Sequence, residues 1–173
     1  SIVRDHIAPR PGDSVLDIGC GPATMFQYLG DVDYTGLDLN PKYIETAKRH
    51  YPDRGKFVSL SVDDMAGRTE GAFDIVLAIA LLHHLTDDQS LAMFRSARAC
   101  VKPGGKLVTL DGAWTVPQNP IAKFLLAADR GQYVRTPQDY EALARKSFGS
   151  VTSVVRTDLN RFPYTHCILT CRP

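Results

Sequence analysis

The sequence predicts an α/β domain built on a mainly parallel β-sheet, and three observations support this. Short apolar runs alternate with segments of helical periodicity, which is typical of consecutive β-α-β units. One run, Phe73 to Ala78, is almost wholly apolar, as expected of a central strand covered on both faces. The chain has 173 residues, of which 44% are hydrophobic and 23% are charged, a composition that suits one folded domain.

Residues 14–110 contain five predicted strands and three predicted helices. The strands are Ser14–Ile18, Asp33–Leu37, Lys56–Leu60, Phe73–Ala78 and Lys106–Leu110. The helices run from Ala23 to Leu29, from the Asn40-Pro41 start to Tyr51, and from Asp87 to Cys100. Asn40 is expected to cap its helix, because its side chain can accept a main-chain N–H and Pro41 suits the first helical position.

The chain after Asp111 departs from this simple alternation. A helix from Pro120 to Arg130 is predicted to face inward through Ile121, Phe124, Leu125 and Ala128. A second helix starts at Thr136-Pro137 and faces inward through Tyr140, Leu143, Ala144 and Phe148. Two last strands, Val151–Thr157 and Tyr164–Cys171, are expected to pair antiparallel. The sequence thus predicts seven strands with a helical insertion at about residues 112–136.

A glycine-rich turn follows the first strand and marks a candidate ligand site. The segment Val15 to Ala23 runs from a buried strand through Gly19-Cys20-Gly21 into a predicted helix. Glycine permits unusual backbone angles and lets a ligand approach the main chain, while a helix start offers free N–H groups. Asp38, at the end of the second strand, is 17 residues beyond Gly21 and can accept hydrogen bonds from the two hydroxyls of a ribose.

Two details separate this turn from that of a nicotinamide dinucleotide fold. The dinucleotide fingerprint needs a third glycine where this chain has Thr24. In addition, Asp17 ends the first strand, where its carboxylate would repel a pyrophosphate but suits the ammonium group of a methionine moiety. An NAD-type oxidoreductase therefore remains the less favoured alternative.

Four motifs in order resemble the class I S-adenosylmethionine-dependent methyltransferases. They are Asp17 to Ala23, Tyr34 to Asn40, Phe73 to Leu85 and Val101 to Gly112. The resemblance implies a single methyltransferase domain over residues 1–173. It also implies a Rossmann-like, doubly wound sheet of order 3-2-1-4-5-7-6, with the last strand antiparallel and helices on both faces. S-adenosyl-L-methionine is the implied cofactor and S-adenosyl-L-homocysteine the product.

The resemblance also assigns cofactor contacts. Asp17, Gly19, Cys20 and Gly21 belong to the glycine motif, Asp38 would bind the ribose, and Leu39 would lie against the adenine. Ala78 is the contact expected from the fourth strand. The third-strand motif departs from the family pattern, because Ser61-Val62 stand where an acid and a small residue are usual. Val62, with Asp63 close by, is the interpretation favoured for the adenine.

Three residues on the same predicted rim are candidates for catalysis. His83 and His84 follow the fourth strand, where ligands meet the carboxyl ends of strands, and histidine titrates near neutral pH. Either is a candidate base for in-line methyl transfer; alternatively, one caps the next helix and the other packs under the cofactor. Asp111 ends the fifth strand and would orient a substrate hydroxyl or amine, or act only as a cap. No metal site is predicted, because adjacent histidines point in different directions.

Several classes of acceptor are disfavoured. The fourth strand lacks the Asn/Asp-Pro-Pro-aromatic step of nucleic-acid amino methylation, and basic residues interleaved with aromatics are missing. A small-molecule acceptor remains, with no nucleic-acid partner; a cofactor-binding regulatory module without catalysis is the alternative. The longest apolar run is too short to span a bilayer, and Cys20, Cys100, Cys167 and Cys171 are expected to be reduced and mostly buried. These features favour a cytoplasmic protein. The sequence does not indicate the oligomeric state.

Overall fold

The computed structural model describes residues 1–67, 70–128 and 131–173, and its strands form one seven-stranded sheet. The order is β3-β2-β1-β4-β5-β7-β6, with β7 antiparallel to both β5 and β6 and the other pairs parallel. The predicted order and the antiparallel last strand are therefore confirmed. The strands are β1 (Ser14–Ile18), β2 (Asp33–Leu37), β3 (Lys56–Val58), β4 (Phe73–Ile79), β5 (Val101–Gly112), β6 (Ser150–Arg156) and β7 (His166–Arg172).

Helices cover both faces of this sheet, which makes it doubly wound as predicted. They are α1 (Pro41–His50), α2 (Val62–Ala66), α3 (Asp87–Cys100), α4 (Pro120–Ala128) and α5 (Pro137–Ala144). Two hydrophobic cores lie on opposite faces of the sheet. In the first core, α2, α3 and α5 pack against one face. In the second core, α1, a π-helical turn (Val3–Ile7) and a 3₁₀ turn (Phe26–Tyr28) pack against the other face of the sheet.

Side-chain caps start the helices where the sequence predicts them. The Asn40 side chain accepts the Lys42 N–H at 3.0 Å, and Pro41 takes the first position of α1. Thr136 and Asp139 form a reciprocal capping box at the start of α5, and Thr86 does the same for α3 with Gln89. Each box satisfies main-chain N–H groups that the first helical turn cannot pair internally. The predicted inward face of α5 is confirmed, since Tyr140, Leu143, Ala144 and Phe148 are all buried.

The helix predicted from Ala23 to Leu29 is wrong, because only the 3₁₀ turn Phe26–Tyr28 forms there. Ala23 has a φ of +59°, a left-handed conformation that does not begin an α-helix. Residues three apart eclipse one another in a 3₁₀ helix. Phe26 begins this turn and Leu29 follows its end, so the two are three apart, and both are buried in the second core together with Ala23.

The inward face predicted for α4 is also wrong. Its buried residues are Ala122 and Leu126, whereas Ile121 and Phe124 are 56% and 71% exposed. The apolar stripe does identify a helix, but α4 packs through the neighbouring positions instead. The predicted end at Arg130 lies outside the described residues.

Two further features concern the environment of the chain. Among the described residues, no helix combines the length and the apolar character needed to cross a membrane. The four cysteines are all buried and none forms a disulfide, as predicted for reduced thiols.

Gly36 in β2 offers a test of the packing behind the glycine turn. A Cβ at Gly36 would lie 2.8 Å from the Cys20 Sγ and 3.1 Å from atoms of the Phe57 and Tyr34 rings. We expect Gly36→Ala to lower the free energy of unfolding by about 1–3 kcal/mol, because the added methyl overpacks the core. Urea denaturation measures this difference.

Gly67 provides the matched control. Its φ is −65°, and no atom outside its neighbours lies within 4 Å of the position that a methyl group would take there. Gly67→Ala should change the free energy of unfolding by no more than about 0.5 kcal/mol. Equal effects of the two substitutions would contradict the packing assigned to Gly36.

Candidate active site

A cavity of about 330 Å³ opens at the carboxyl ends of β1 and β2. This volume lies within the range of about 300–1,000 Å³ that ligand sites usually have. Five of the predicted cofactor residues line the cavity, namely Gly19, Asp38, Leu39, Val62 and Asp63. The remaining lining residues are Ile18, Leu37, Leu60, Ser61, Leu81, Leu85, Gln89, Ala92 and Met93.

The glycine turn is built from left-handed residues. Gly19, Gly21 and Ala23 have φ values of +69°, +54° and +59°. A Cβ at Gly19 would lie 3.0 Å from the Leu81 Cδ1, so a larger residue there would have to shift the Leu81 side chain. The Cys20 N–H donates to the Leu37 carbonyl oxygen at 2.9 Å and so ties the turn to the end of β2. No α-helix starts at this turn, so the free helix N–H groups predicted there are absent.

Asp38 joins the turns that follow β1 and β2. Its Oδ2 accepts the Gly21 N–H at 2.9 Å, and its Oδ1 accepts the Asn40 N–H at 2.8 Å. The carboxylate is half-buried and lines the cavity. Because each carboxylate oxygen can accept more than one hydrogen bond, both oxygens keep acceptor capacity toward a ligand.

The third wall of the cavity comes from α2, a helix that sequence analysis missed. Ser61 caps α2 by accepting the Asp64 N–H at 3.1 Å, so Ser61-x-x-Asp64 was the overlooked start signal. The same Ser61 hydroxyl donates to the Asp64 carboxylate at 2.7 Å. Val62 is the first residue of α2, and the Asp63 carboxylate accepts a hydrogen bond from the Ser96 hydroxyl.

Asp17 is not among the residues that line the cavity. Side chains alternate along a strand, and Asp17 therefore lies on the opposite face from Ile18, which does line it. Asp17 is 2% exposed; its Oδ2 accepts the Tyr34 hydroxyl at 2.6 Å, and its Oδ1 is buried with no partner. Burial raises the pKa of the Asp17 carboxyl to about 7, although the Tyr34 hydrogen bond acts in the opposite direction.

Three other predicted cofactor residues also lie outside the lining. The Cys20 side chain points into the second core, beside Gly36, and Gly21 contributes its N–H to Asp38. Ala78 is fully buried in the first core, and Leu81 lies against the glycine turn instead.

His83 and Asp111 form a buried pair at the ends of β4 and β5. The His83 Nδ1 lies 2.8 Å from the Asp111 Oδ1, which also accepts the His83 N–H at 3.2 Å. His83 is 6% exposed and belongs to a 3₁₀ turn, Leu82–His84, which we call the histidine turn. Burial raises the pKa of the Asp111 carboxyl, whereas the His83 hydrogen bond lowers it. The second oxygen of Asp111 is buried without a partner.

His84 is exposed, and its ring centroid lies 4.1 Å from that of His83. The pairing with Asp111 therefore distinguishes two adjacent histidines that the sequence could not separate. Neither His83 nor Asp111 lines the cavity, but Leu81 and Leu85, on either side of the histidine turn, do. Tyr164 and His166 pack against each other, with ring centroids 4.8 Å apart, and do not line this cavity.

Helical spacing could have revealed more of the lining. Gln89, Ala92 and Met93 follow the three- and four-residue spacing of one helix face on α3. A larger groove of about 740 Å³ lies between the N-terminal π-helical turn and the 3₁₀ turn Phe26–Tyr28. Its lining contains no carboxylate or histidine side chain, whereas the smaller cavity is lined by Asp38 and Asp63. Within the described residues, no group of three or more potential metal ligands occurs.

A doubly wound sheet with a glycine turn and an acidic residue after its second strand defines a nucleoside-binding α/β domain. The chain belongs to a family of methyltransferase domains, whose model, described as "Methyltransferase domain", matches residues 15–105.

Curated relatives and solved structures agree with this membership. A ubiquinone biosynthesis O-methyltransferase of Xanthomonas campestris pv. campestris is 32% identical over 138 residues, covering 75% of this chain and 55% of the relative. One of Thiobacillus denitrificans is 35% identical over 106 residues, covering 58% of this chain and 45% of the relative. The chain thus spans about half the length of these relatives. The crystal structure of the S-adenosylmethionine-dependent methyltransferase SibL shares the fold, with a TM-score of 0.75 at 19% identity over 94% of this chain and 51% of that one.

The raised pKa of Asp17 predicts a specific dependence of stability on pH. Between about pH 4, the ordinary value, and about 7, the folded state holds a proton that the unfolded state has released. The free energy of unfolding should therefore fall as the pH rises through this window, by about 4 kcal/mol, and then level off. Asp17→Asn should remove this part of the fall, as measured by urea denaturation at each pH.

Asp74→Asn is the control of opposite sign. Hydrogen bonds from Lys102 and Ser14 lower the pKa of the Asp74 carboxyl to about 2, so its stabilisation is lost only as the pH falls below about 4. This variant should keep the wild-type slope between pH 4 and 7. The same slope in wild type and Asp17→Asn would contradict the assignment.

Proposed function

We propose that this domain binds S-adenosylmethionine in the 330 Å³ cavity and transfers its methyl group to a hydroxyl of a small-molecule acceptor. The observation that carries the proposal is the Asp38 carboxylate, which is oriented by two main-chain N–H groups at the rim of that cavity. When bound, the cofactor supplies an electrophilic methyl group on a sulfonium.

The residues present fit the nucleoside part of this cofactor. Asp38 would accept the two ribose hydroxyls with the acceptor capacity that Gly21 and Asn40 leave free. Leu39 and Leu60 would contact the adenine ring. The Val62 N–H belongs to the first turn of α2, where main-chain N–H groups have no intrahelical acceptor, and would serve a ring nitrogen.

Of the other predicted cofactor residues, two are proposed to contact the cofactor and four to support the site indirectly. Gly19 would let the cofactor approach the main chain, and Asp63 would approach the adenine amino group while it keeps the Ser96 hydrogen bond. Asp17, Cys20, Gly21 and Ala78 would support the site from behind its wall.

The His83–Asp111 pair supports a hydroxyl as the accepting group. With Asp111 accepting the Nδ1 proton, the Nε2 of His83 is left to take a proton from the acceptor. A phenolic hydroxyl has a pKa near 10 and must lose its proton during transfer, so a positioned base contributes about 10²–10⁴-fold. The name of the relatives, ubiquinone biosynthesis O-methyltransferase, also supports oxygen as the methylated atom.

We further propose that residues 1–173 act as one domain and that the segment at about 112–136 forms its acceptor side. This segment begins at Gly112, the last residue of β5, and returns to contact His83, since the Tyr133 N–H donates to the His83 carbonyl oxygen at 2.9 Å. Loops at this edge of an α/β sheet commonly determine substrate choice.

Isothermal titration with S-adenosylhomocysteine, with NAD as the comparison, tests the cofactor assignment. The wild-type chain should bind S-adenosylhomocysteine with micromolar affinity and should not bind NAD. Asp38→Ala should weaken this binding about 10- to 150-fold, which corresponds to about 1.5–3 kcal/mol for a hydrogen bond to a charged group.

Asp53→Ala is the matched control, because Asp53 is an exposed carboxylate outside the cavity lining. Its affinity should equal that of the wild type. Binding of NAD alone, or unchanged affinity in Asp38→Ala, would contradict the proposed site.

Methyl transfer to catechol, benzylamine and benzoate, followed by mass spectrometry, tests the acceptor chemistry. Catechol should be methylated in preference to the amine and the carboxylate. His83→Gln should lower the rate on catechol by at least about 100-fold, because the base is lost, while S-adenosylhomocysteine affinity stays the same. His84→Gln is the adjacent control and should retain most of the rate. An undiminished rate in His83→Gln would exclude His83 as the base.

A further inference from the structure

Arg135 is a buried arginine whose guanidinium group holds the histidine turn. It is 9% exposed, although the sequence offers no reason to expect burial of this residue. Its Nη1 donates to the Leu82 carbonyl oxygen at 3.1 Å and its Nη2 to that of Leu85 at 2.7 Å. The guanidinium therefore binds main-chain carbonyls on both sides of His83.

The main chain around Arg135 is also tied to the partner of His83. Ala113, two residues after Asp111, forms an isolated parallel bridge with Arg135, and the Trp114 N–H donates to the Arg135 carbonyl oxygen at 3.0 Å. The Tyr140 hydroxyl donates to the Gly112 carbonyl oxygen at 3.1 Å and accepts the Arg135 N–H at 3.4 Å. Arg135 thus connects the end of β5, which carries Asp111, to the turn that carries His83.

The segment before Arg135 packs on the histidine itself. The Tyr133 N–H binds the His83 carbonyl oxygen, and the Tyr133 carbonyl oxygen accepts a third Arg135 hydrogen bond at 3.0 Å. A side chain at Gly131 would overlap the His83 ring. The ring is therefore enclosed by Asp111 on one element and by residues 131–133 on another.

The ion pair between Arg135 and Asp87 contributes less to the role of Arg135 than its hydrogen bonds to main-chain carbonyls do. Its Nε and Nη2 donate to the Asp87 Oδ1 at 2.9 and 2.7 Å, but the Asp87 side chain is 73% exposed. Exposed ion pairs contribute little, whereas a buried charge must have its hydrogen bonds satisfied. The carbonyl contacts consequently define the role of Arg135, and lysine cannot reproduce them because it lacks the planar fork of donors.

We propose that Arg135 is a positioning residue that holds His83 in register with Asp111, an inference that rests on the proposed role of His83 as base. Arg135 fixes the position and orientation of the histidine turn relative to the end of β5. The Nδ1 of His83 then stays within hydrogen-bond distance of the Asp111 Oδ1. Replacing Arg135 should let the histidine turn move relative to β5. The His83 ring should then populate both neutral tautomers instead of one.

The experiment is ¹⁵N NMR of histidine-labelled protein at about pH 8, where an ordinary histidine ring is neutral. His83→Gln assigns the His83 signal by its disappearance. In the wild type, His83 should be the Nδ1–H tautomer. In Arg135→Lys and Arg135→Met, it should become a mixture with the Nε2–H form, while Asp87→Asn should keep the wild-type tautomer.

Arg145→Lys is the matched control. Arg145 also donates to a main-chain carbonyl, that of Val151 at 2.8 Å, but it lies at the end of α5, away from the histidine turn. This variant should keep the wild-type tautomer. Thermal unfolding and S-adenosylhomocysteine titration report whether each variant is folded with an intact cofactor site.

Activity supplies the second measurement. Arg135→Lys should lower kcat on catechol at least about tenfold, with KM and S-adenosylhomocysteine affinity within about twofold of the wild type, because only the base is displaced. A single Nδ1–H tautomer in both folded Arg135 variants would overturn the positioning role. A wild-type His83 that is not the Nδ1–H tautomer would instead overturn the proposed base, so the two failures are distinguishable.

Discussion

The hydrogen bonds of the Asp38 carboxylate are the constraint on which the candidate site depends. Because β1 and β2 pair in parallel with Ile18 opposite Leu37, the turns that follow them emerge side by side. One carboxylate can then accept the N–H of Gly21 from the first turn and that of Asn40 from the second. The left-handed glycine turn has no α-helix to hold it, so Asp38 and the Cys20–Leu37 main-chain bond fix its shape. The same carboxylate stays half-exposed at the cavity, where a ribose would bind.

The elements were predictable because caps and core spacing leave clear local signals, whereas the strand order came from the family resemblance. Asn40, Thr86 and Thr136 cap their helices through side chains whose chemistry is visible in the sequence. The failures arose where tertiary packing decided between similar patterns. The apolar residues 23, 26 and 29 indicated an α-helix, but the left-handed backbone of Ala23 leaves only a 3₁₀ turn that begins at Phe26. The apolar stripe of α4 identified a helix but not the side through which it packs.

The site was predictable to the extent that it is built from strand ends, which share one edge of a parallel sheet. Gly19 and Asp38 reach the cavity in this way, and His83 meets Asp111 across β4 and β5. Val62 and Asp63 were expected at the site although the helix α2 that carries them was not, and the α3 residues Gln89, Ala92 and Met93 were missed because α3 packs over this edge. Arg135 was missed for a different reason: its acceptors are mainly carbonyl oxygens, which every residue has, so no pattern of side chains marks the contact.

A crystal structure of the protein with S-adenosylhomocysteine tests the central claim most directly. The account predicts both ribose hydroxyls within hydrogen-bond distance of the Asp38 carboxylate and the adenine between Leu39 and Val62. The sulfur atom should lie toward the histidine turn, beyond Leu81. A ligand bound elsewhere, for example in the groove beside the N-terminal turn, or a nucleoside that leaves Asp38 without a contact, would contradict the account.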